Sequence, residues 1–503
     1  MKVPCLSAIL IFVLAFASIP VWAASPEAEF IRAAVEQKAP LITDMKQSIW
    51  EYAEIRYREF KSADKIVEIL KQEGFAIERN VPDMPTAFIA RYGSGAPVIG
   101  ITAEYDSLQR LNQAAGAAER KPTSHQENGH GCGHCALGAG AVGAALAVKE
   151  YLKDRPGQGT IVLLGTPAEE SGFGKLFMLR EGCFRDLDVV ISWHPWSSNN
   201  ATAARALGVF MVEFHFKGTS AHAGGAPEKG RSAVDACELT NIGINYLREH
   251  VPTTIRMHYA WIDPGPEAPN IVPDSGALLY YIRGPYAEDR REVLERMVNV
   301  ARGAALMTGT TMEYRVVGAA YDLLPNPTVA RVLSDAFVET GGPDFEEPEF
   351  AIARRFLAAM PEEARMEAIQ TGARLEGLTP EEFAKRPLIT SVTPMTDRDA
   401  EQLMTISFDL GDVSYCVPTA QLYGAVAVPQ TGLHTWQLTA QVGTSIGDKA
   451  SLAMARALAL AAVRFCQHPE LVKKAQAELR DATAGREYQD PLPDSITPRD
   501  LTP

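Results

Sequence analysis

Between residues 97 and 193 the chain repeats one unit: a short apolar run, a polar or charged cluster, then a helix-like stretch. The apolar runs are Pro97 to Thr102 (PVIGIT), Thr160 to Leu164 (TIVLL) and Asp188 to Trp193 (DVVISW). Each is too short for a core helix and is built largely from aliphatic residues, which predicts strands buried on both faces. Leu137 to Leu152, rich in small residues, and Lys175 to Arg180 predict helices between them. Strands and helices in alternation make an α/β fold, a mostly parallel sheet covered by helices. Ligands of such sheets collect at the carboxyl ends of the strands.

The rhythm breaks near Ala206. Gly208 to Phe216 (GVFMVEFHF) alternates like a half-buried strand, and Ala277 to Ile282 and Thr311 to Val316 predict two more. Helices are expected over Ala233 to Glu249 and Glu288 to Leu306. Strand–helix–strand–strand–helix–strand describes a small α+β unit inserted into the main domain, with one of its four strands inferred and not seen. Glu27 to Gly74 and Phe345 to Ala384 also read as helical, Gln421 to Val428 as a strand and Ser451 to Cys466 as a long helix. The expected division is a leader at 1–23, the main domain at 24–205 and 319–488, the insert at 206–318, and a loosely ordered tail at 489–503.

Lys2, the apolar run Ile9 to Ile19 and Val21-Trp22-Ala23-Ala24 have the order of a secretory signal cut near Ala23. The expectation is a secreted or periplasmic protein, with no membrane partner after cleavage and no later stretch long enough to span. Sixty-two acidic against 48 basic residues give a net charge of −14, which disfavours nucleic acid as a partner. Beyond Cys5 the cysteines are scattered, unlike a disulfide scaffold, and the sequence does not pair them.

Four polar clusters could carry chemistry. Ala103-Glu104-Tyr105-Asp106 follows the first strand, either as a solvated turn or as a carboxylate that orients a metal ligand. Gly129 to Cys135 (GHGCGHC) holds two histidines and two cysteines, good donors for borderline divalent metals. Its Cys132-Gly133-His134-Cys135 is also a CxxC that a thiol–disulfide oxidoreductase could use. Glu169 and Glu170 follow the second strand. Adjacent carboxylates repel unless a cation or proton intervenes, so one suits metal binding and the other proton transfer. His194 ends the third strand, and His434 repeats that placement after Gln421 to Val428.

The pieces AEYD (103–106), GHGCGH (129–134), GTPAEE (165–170) and SWHPW (192–196) occur in order. FKGTSAHAG (216–224), APNIVPD (268–274), GDVSYCVPT (411–419) and GLHTWQ (432–437) follow. Together they resemble the co-catalytic metallopeptidase and amidohydrolase family of aminoacylases, glutamate carboxypeptidases and auxin-conjugate hydrolases. The aminobenzoyl-glutamate hydrolase B-subunit branch is the nearest likeness. The resemblance implies a zinc-exopeptidase-like catalytic domain interrupted by an α+β, ferredoxin-like lid that mediates homodimerisation. It implies two divalent ions per chain, Zn²⁺ or Mn²⁺, held by Cys132, His134, Glu170, His194 and His434. Glu169 would be the general base, with Asp106 supporting the metal site. His222 would reach the partner subunit's site and stabilise the oxyanion, and Asn270 and Arg283 would bind substrate. The substrate would be an N-acyl or N-aryl amino acid or a small peptide. A dipeptidase or carboxypeptidase is the near alternative, a redox protein using Cys132 and Cys135 the remote one. Cys135 departs from the family pattern, where Asp, Asn or His is usual.

Overall fold

The computed structural model describes residues 24–123 and 126–502. The leader expected at 1–23 lies outside the described residues. The first strands are β1 (Ala76–Glu78), β2 (Phe88–Ser94), β3 (Val98–Ala103), β4 (Gly159–Gly165), β5 (Val189–Trp196) and β6 (Asn200–Ala201). After β7 (Arg205–Ala206) the chain enters β8 (Gly208–Lys217), β9 (Arg256–Asp263), β10 (Ser275–Gly284) and β11 (Thr311–Ala320). It returns through β12 (Leu403–Met404) and β13 (Thr419–Ala425).

The main sheet has seven strands in the order β1-β2-β4-β3-β5-β13-β6. The central four, β4, β3, β5 and β13, are parallel, as their apolar runs predict. Antiparallel strands close both edges. Pleating sends Ile161 and Leu163 into one core cluster and Val162 and Leu164 into another. Because the central strands share a direction, their carboxyl ends open on one edge, and every polar cluster lands there.

The small-residue helix begins earlier than expected and spans His134–Leu152. Its composition has a packing cause. A Cβ on Gly143 would sit 2.8 Å from Ile42 Cδ1 and 2.9 Å from Ala455 Cβ, so helices Pro26–Tyr52 and Ser445–Gln467 could not close on it. His134–Leu152 and Ser445–Gln467 are each long and apolar enough to cross a membrane. This corrects the expectation that no later stretch reaches that length. Both are buried core helices, and their hydrophobicity serves the protein interior.

The insert is a four-stranded antiparallel sheet in the order β11-β8-β10-β9, backed by helices Ala233–Leu247 and Ala287–Thr308. The fourth strand, only inferred from sequence, is β9 (RMHYAWID). It lies on the sheet edge with His258 to Ile262 exposed, so no buried–exposed alternation marks it. The tail is also corrected. Leu492 is buried in the second core cluster, Arg180 binds Asp490 at 2.7 Å, and residues Pro498–Leu501 form a short helix. Proline does not prevent packing there, and Pro498 opens the short helix.

Candidate metal centre

Cys132 and His134 flank Gly133, which caps the helix His134–Leu152 in the left-handed conformation, φ 81°. A side chain there would strain the backbone and place Cβ 2.9 Å from Pro195. The turn therefore brings Cys132 Sγ to 3.5 Å from His194 Nε2, with all three donor residues buried. Glu169 and Glu170 follow Ala168, itself at φ 61° just beyond β4. His434, at φ 59°, is anchored by its backbone N–H on the Gly131 carbonyl at 2.7 Å. Its Nε2 meets Glu170 Oε2 at 3.2 Å.

These donors sort into overlapping groups. Cys132, His134 and His194 form one set whose ligand atoms lie within 4.8 Å of one another, and Cys132, Glu170 and His434 form a second. Cys132 is common to both groups, so its sulfur could serve an ion in either. His194 lies inside β5, its Nδ1 2.9 Å from the Pro195 carbonyl, which leaves Nε2 for a metal. Burial, then the charge of His134, push its imidazole down to about 4 and keep it neutral. Asp106 works from behind. Its Oδ1 takes His134 Nδ1 at 2.8 Å and its Oδ2 accepts the Glu170 backbone N–H at 3.0 Å, so one carboxylate orients two candidate ligands.

The donor chemistry fits divalent metal. Thiolate, imidazole and carboxylate converge, and His134 Nε2 and Glu170 Oε1 are buried with no hydrogen-bond partner. Burial and the charges of Glu104, Asp409 and Glu170 raise the Glu169 carboxyl well above the usual range. Burial also raises the Cys132 thiol, so metal uptake must displace its proton.

The candidate donors open into a cavity of about 320 Å³. Phe173, Val209, Met211, Tyr281 and Phe408 give it apolar walls, and Arg283 supplies a cation, donating to Ser407 Oγ at 2.8 Å. His222 and Asn270 do not line it. They lie together, exposed, on the insert, where the Ala223 N–H donates to the Asn270 carbonyl at 2.9 Å. His130, in the same motif as the ligands, faces away and meets the Ile49 carbonyl at 2.9 Å. Burial pushes it down to about 3, so it is a neutral core histidine.

The profile of Peptidase family M20/M25/M40 matches residues 100–498. The chain belongs to that family. A relative of this M20 chain, the B-subunit of p-aminobenzoyl-glutamate hydrolase from Escherichia coli strain K12, is 38% identical over 94% of this chain and 98% of the relative. The Xaa-Arg dipeptidase of Mus musculus is 27% identical over 89% of this chain and 90% of its own. Among solved structures, a dinuclear metal-binding M20 peptidase from Bacillus subtilis shares the fold at a TM-score of 0.54 and 17% identity, covering 84% of this chain and 98% of that one. An aminobenzoyl-glutamate utilization protein from Klebsiella pneumoniae does so at 0.55 and 18%, covering 85% and 96%. The M20 chain is a metal-dependent hydrolase of amide bonds.

The redox reading is corrected. Cys135 is fully buried in the core, and burial pushes its thiol up to about 12. A redox-active CxxC needs the opposite, an accessible cysteine of lowered pKa. Three further groups lie near the centre: Glu104, which the sequence marks only as part of the AEYD cluster, and Lys175 and Asp409, which carry no motif. Lys175 Nζ lies 2.7 Å from Glu104 Oε1 and 2.5 Å from Asp409 Oδ1, all buried. Breaking such a buried pair costs about 3–5 kcal/mol, so the trio is strongly held.

Proposed function

We propose that the protein cleaves the amide bond of a small N-acyl or N-aryl amino acid, using two Zn²⁺ or Mn²⁺ ions per chain, as an exported homodimer. The shared Cys132 between two ligand groups supports the dinuclear reading, and the confined cavity with one cation supports the substrate class. Ions bound there would lower the pKa of a water and polarise the scissile carbonyl. Glu169 takes the proton of the attacking water and returns it to the leaving amine. Arg283 pairs with the substrate carboxylate, and the apolar walls receive the acyl or aryl group.

Asn270 and His222 act across the dimer in this reading. His222 Nδ1 accepts the N–H of Gly224 and Gly225 at 3.2 and 3.1 Å, which puts the imidazole proton on Nε2. That nitrogen is the donor for the carbonyl oxygen as it gains charge. H222A and E169Q chains are each expected to be weak. Mixed and allowed to exchange, they should recover about a quarter of wild-type activity, because half the dimers are mixed and each holds one intact site. Demonstrated mixed dimers with no recovery exclude the shared site.

The reading is tested by elemental analysis of the mature protein with hydrolysis of a panel of N-acyl amino acids, an aryl amide of glutamate and dipeptides, before and after chelation. About two ions per chain, with activity lost on chelation and restored by Zn²⁺ or Mn²⁺, is the expected result. The likeness to a dipeptidase makes dipeptides the second candidate, and preference for them over N-acyl amino acids would replace the first. Metal-free protein that resists reconstitution would end both.

A further inference from the structure

We propose that Lys175 and Asp409 are positioning residues that aim the Glu104 carboxylate at the ion held by His134, making Glu104 an additional oxygen donor of the centre. This rests on the metal-binding reading above. Asp106 occupies His134 Nδ1, so Nε2 is the ring atom left to face an ion. Glu104 Oε2 lies 3.3 Å from that Nε2, and neither atom forms a hydrogen bond. The two form an ion pair when the imidazole is protonated, and with the ring proton on Nδ1 alone both are buried acceptors that a cation between them would satisfy. Glu104, His134 and Glu169 also form a ligand group of their own, with atoms within 4.8 Å of one another.

The rest of the arrangement explains why Glu104 points there. Its other oxygen, Oε1, is held by Lys175 Nζ at 2.7 Å. The same ammonium reaches Asp409 Oδ1 at 2.5 Å, and Asp409 Oδ2 accepts the Lys175 backbone N–H at 2.9 Å. Lys175 and Asp409 have side chains at 0% exposure and Glu104 at 6%, so no water competes for these contacts. One oxygen of Glu104 is tied to Lys175 and the other is aimed at His134 Nε2. Asp409 also ends the segment Thr405 to Asp409 that walls the cavity, where Ser407 receives Arg283. One buried lysine thereby links the substrate wall to the carboxylate beside His134.

The test is the Zn²⁺ affinity of folded, metal-stripped protein, read by competition with a chromophoric chelator, for wild type, Glu104→Gln, Lys175→Met, Asp409→Asn and the double Glu104→Gln/Lys175→Met. Each single change is expected to weaken binding at one of two sites by about 10- to 100-fold. The double should be no weaker than the worse single, because both remove one unit. Wild-type affinity in Glu104→Gln overturns the proposal. Losses in Glu104→Gln and Lys175→Met that simply add also overturn it, since Lys175 would then act independently of Glu104. A lysine with a merely structural role would lower the melting temperature and leave Zn²⁺ affinity unchanged. Asp409→Asn keeps the shape of the contact and carries the test should Lys175→Met fail to fold. Wild-type protein that takes up no Zn²⁺ is a different result, which removes the metal centre itself.

Discussion

An E169Q protein is expected to fold, to keep its metal, and to lose about 10²- to 10⁴-fold in kcat. That loss corresponds to about 3–5 kcal/mol of barrier. Glu169 is half-buried, and desolvation with the nearby charges of Glu104, Asp409 and Glu170 raises its carboxyl well above the usual range. A carboxylate with raised proton affinity is suited to take a proton from water, and its conjugate acid to return one to an amine. Glutamine has the same shape and cannot do either. Glu169 lies within reach of a ligand group, so metal content must be measured beside activity. Full metal with a near-wild-type rate would show that Glu169 is not the base. Metal lost in proportion to activity would make it a ligand instead.

A C132A protein is expected to lose both ions together and with them at least 10³-fold in activity, the order expected when the group that activates water is removed. Cys132 is the one residue common to the His134–His194 and Glu170–His434 groups. Truncation of a buried cysteine to alanine removes a single sulfur, so the fold should survive. Removing His434 instead should spare the other group and leave about one ion per chain. Its side chain is 56% exposed at the cavity while the donors of the other group are buried, so its ion should be the more readily lost. Elemental analysis of C132A and H434A decides the matter. Two ions retained in C132A, with activity, would show that the sulfur is not shared.

Legibility followed physical locality. The four parallel strands could be read because a strand buried on both faces needs an unbroken apolar run, and that run is written in consecutive residues. The candidate site positions could be read for the same reason, since Glu169, Glu170 and the Cys132–His134 turn stand just beyond or between those runs. The edge strand β9 was illegible because exposure on the sheet edge imposes no pattern on its side chains. His130 and His134 look alike within GHGCGH, and only the packing of Ile49 against one and Asp106 against the other separates them.

The sequence by itself determined the α/β order and the strand-end placement of Glu169, Glu170, His194 and His434, while the candidate ligand set that includes Cys132 and His134 rests on the family resemblance. Tertiary structure alone decided that Cys132 belongs to two ligand groups and that His222 and Asn270 lie away from the cavity of their own chain. It alone joined Lys175 to Asp409, 234 positions later. Burial and periodicity are local properties that neighbouring residues must satisfy together. An ion pair between distant residues is satisfied only when the folded chain brings them together, and it leaves no mark on the residues beside either partner.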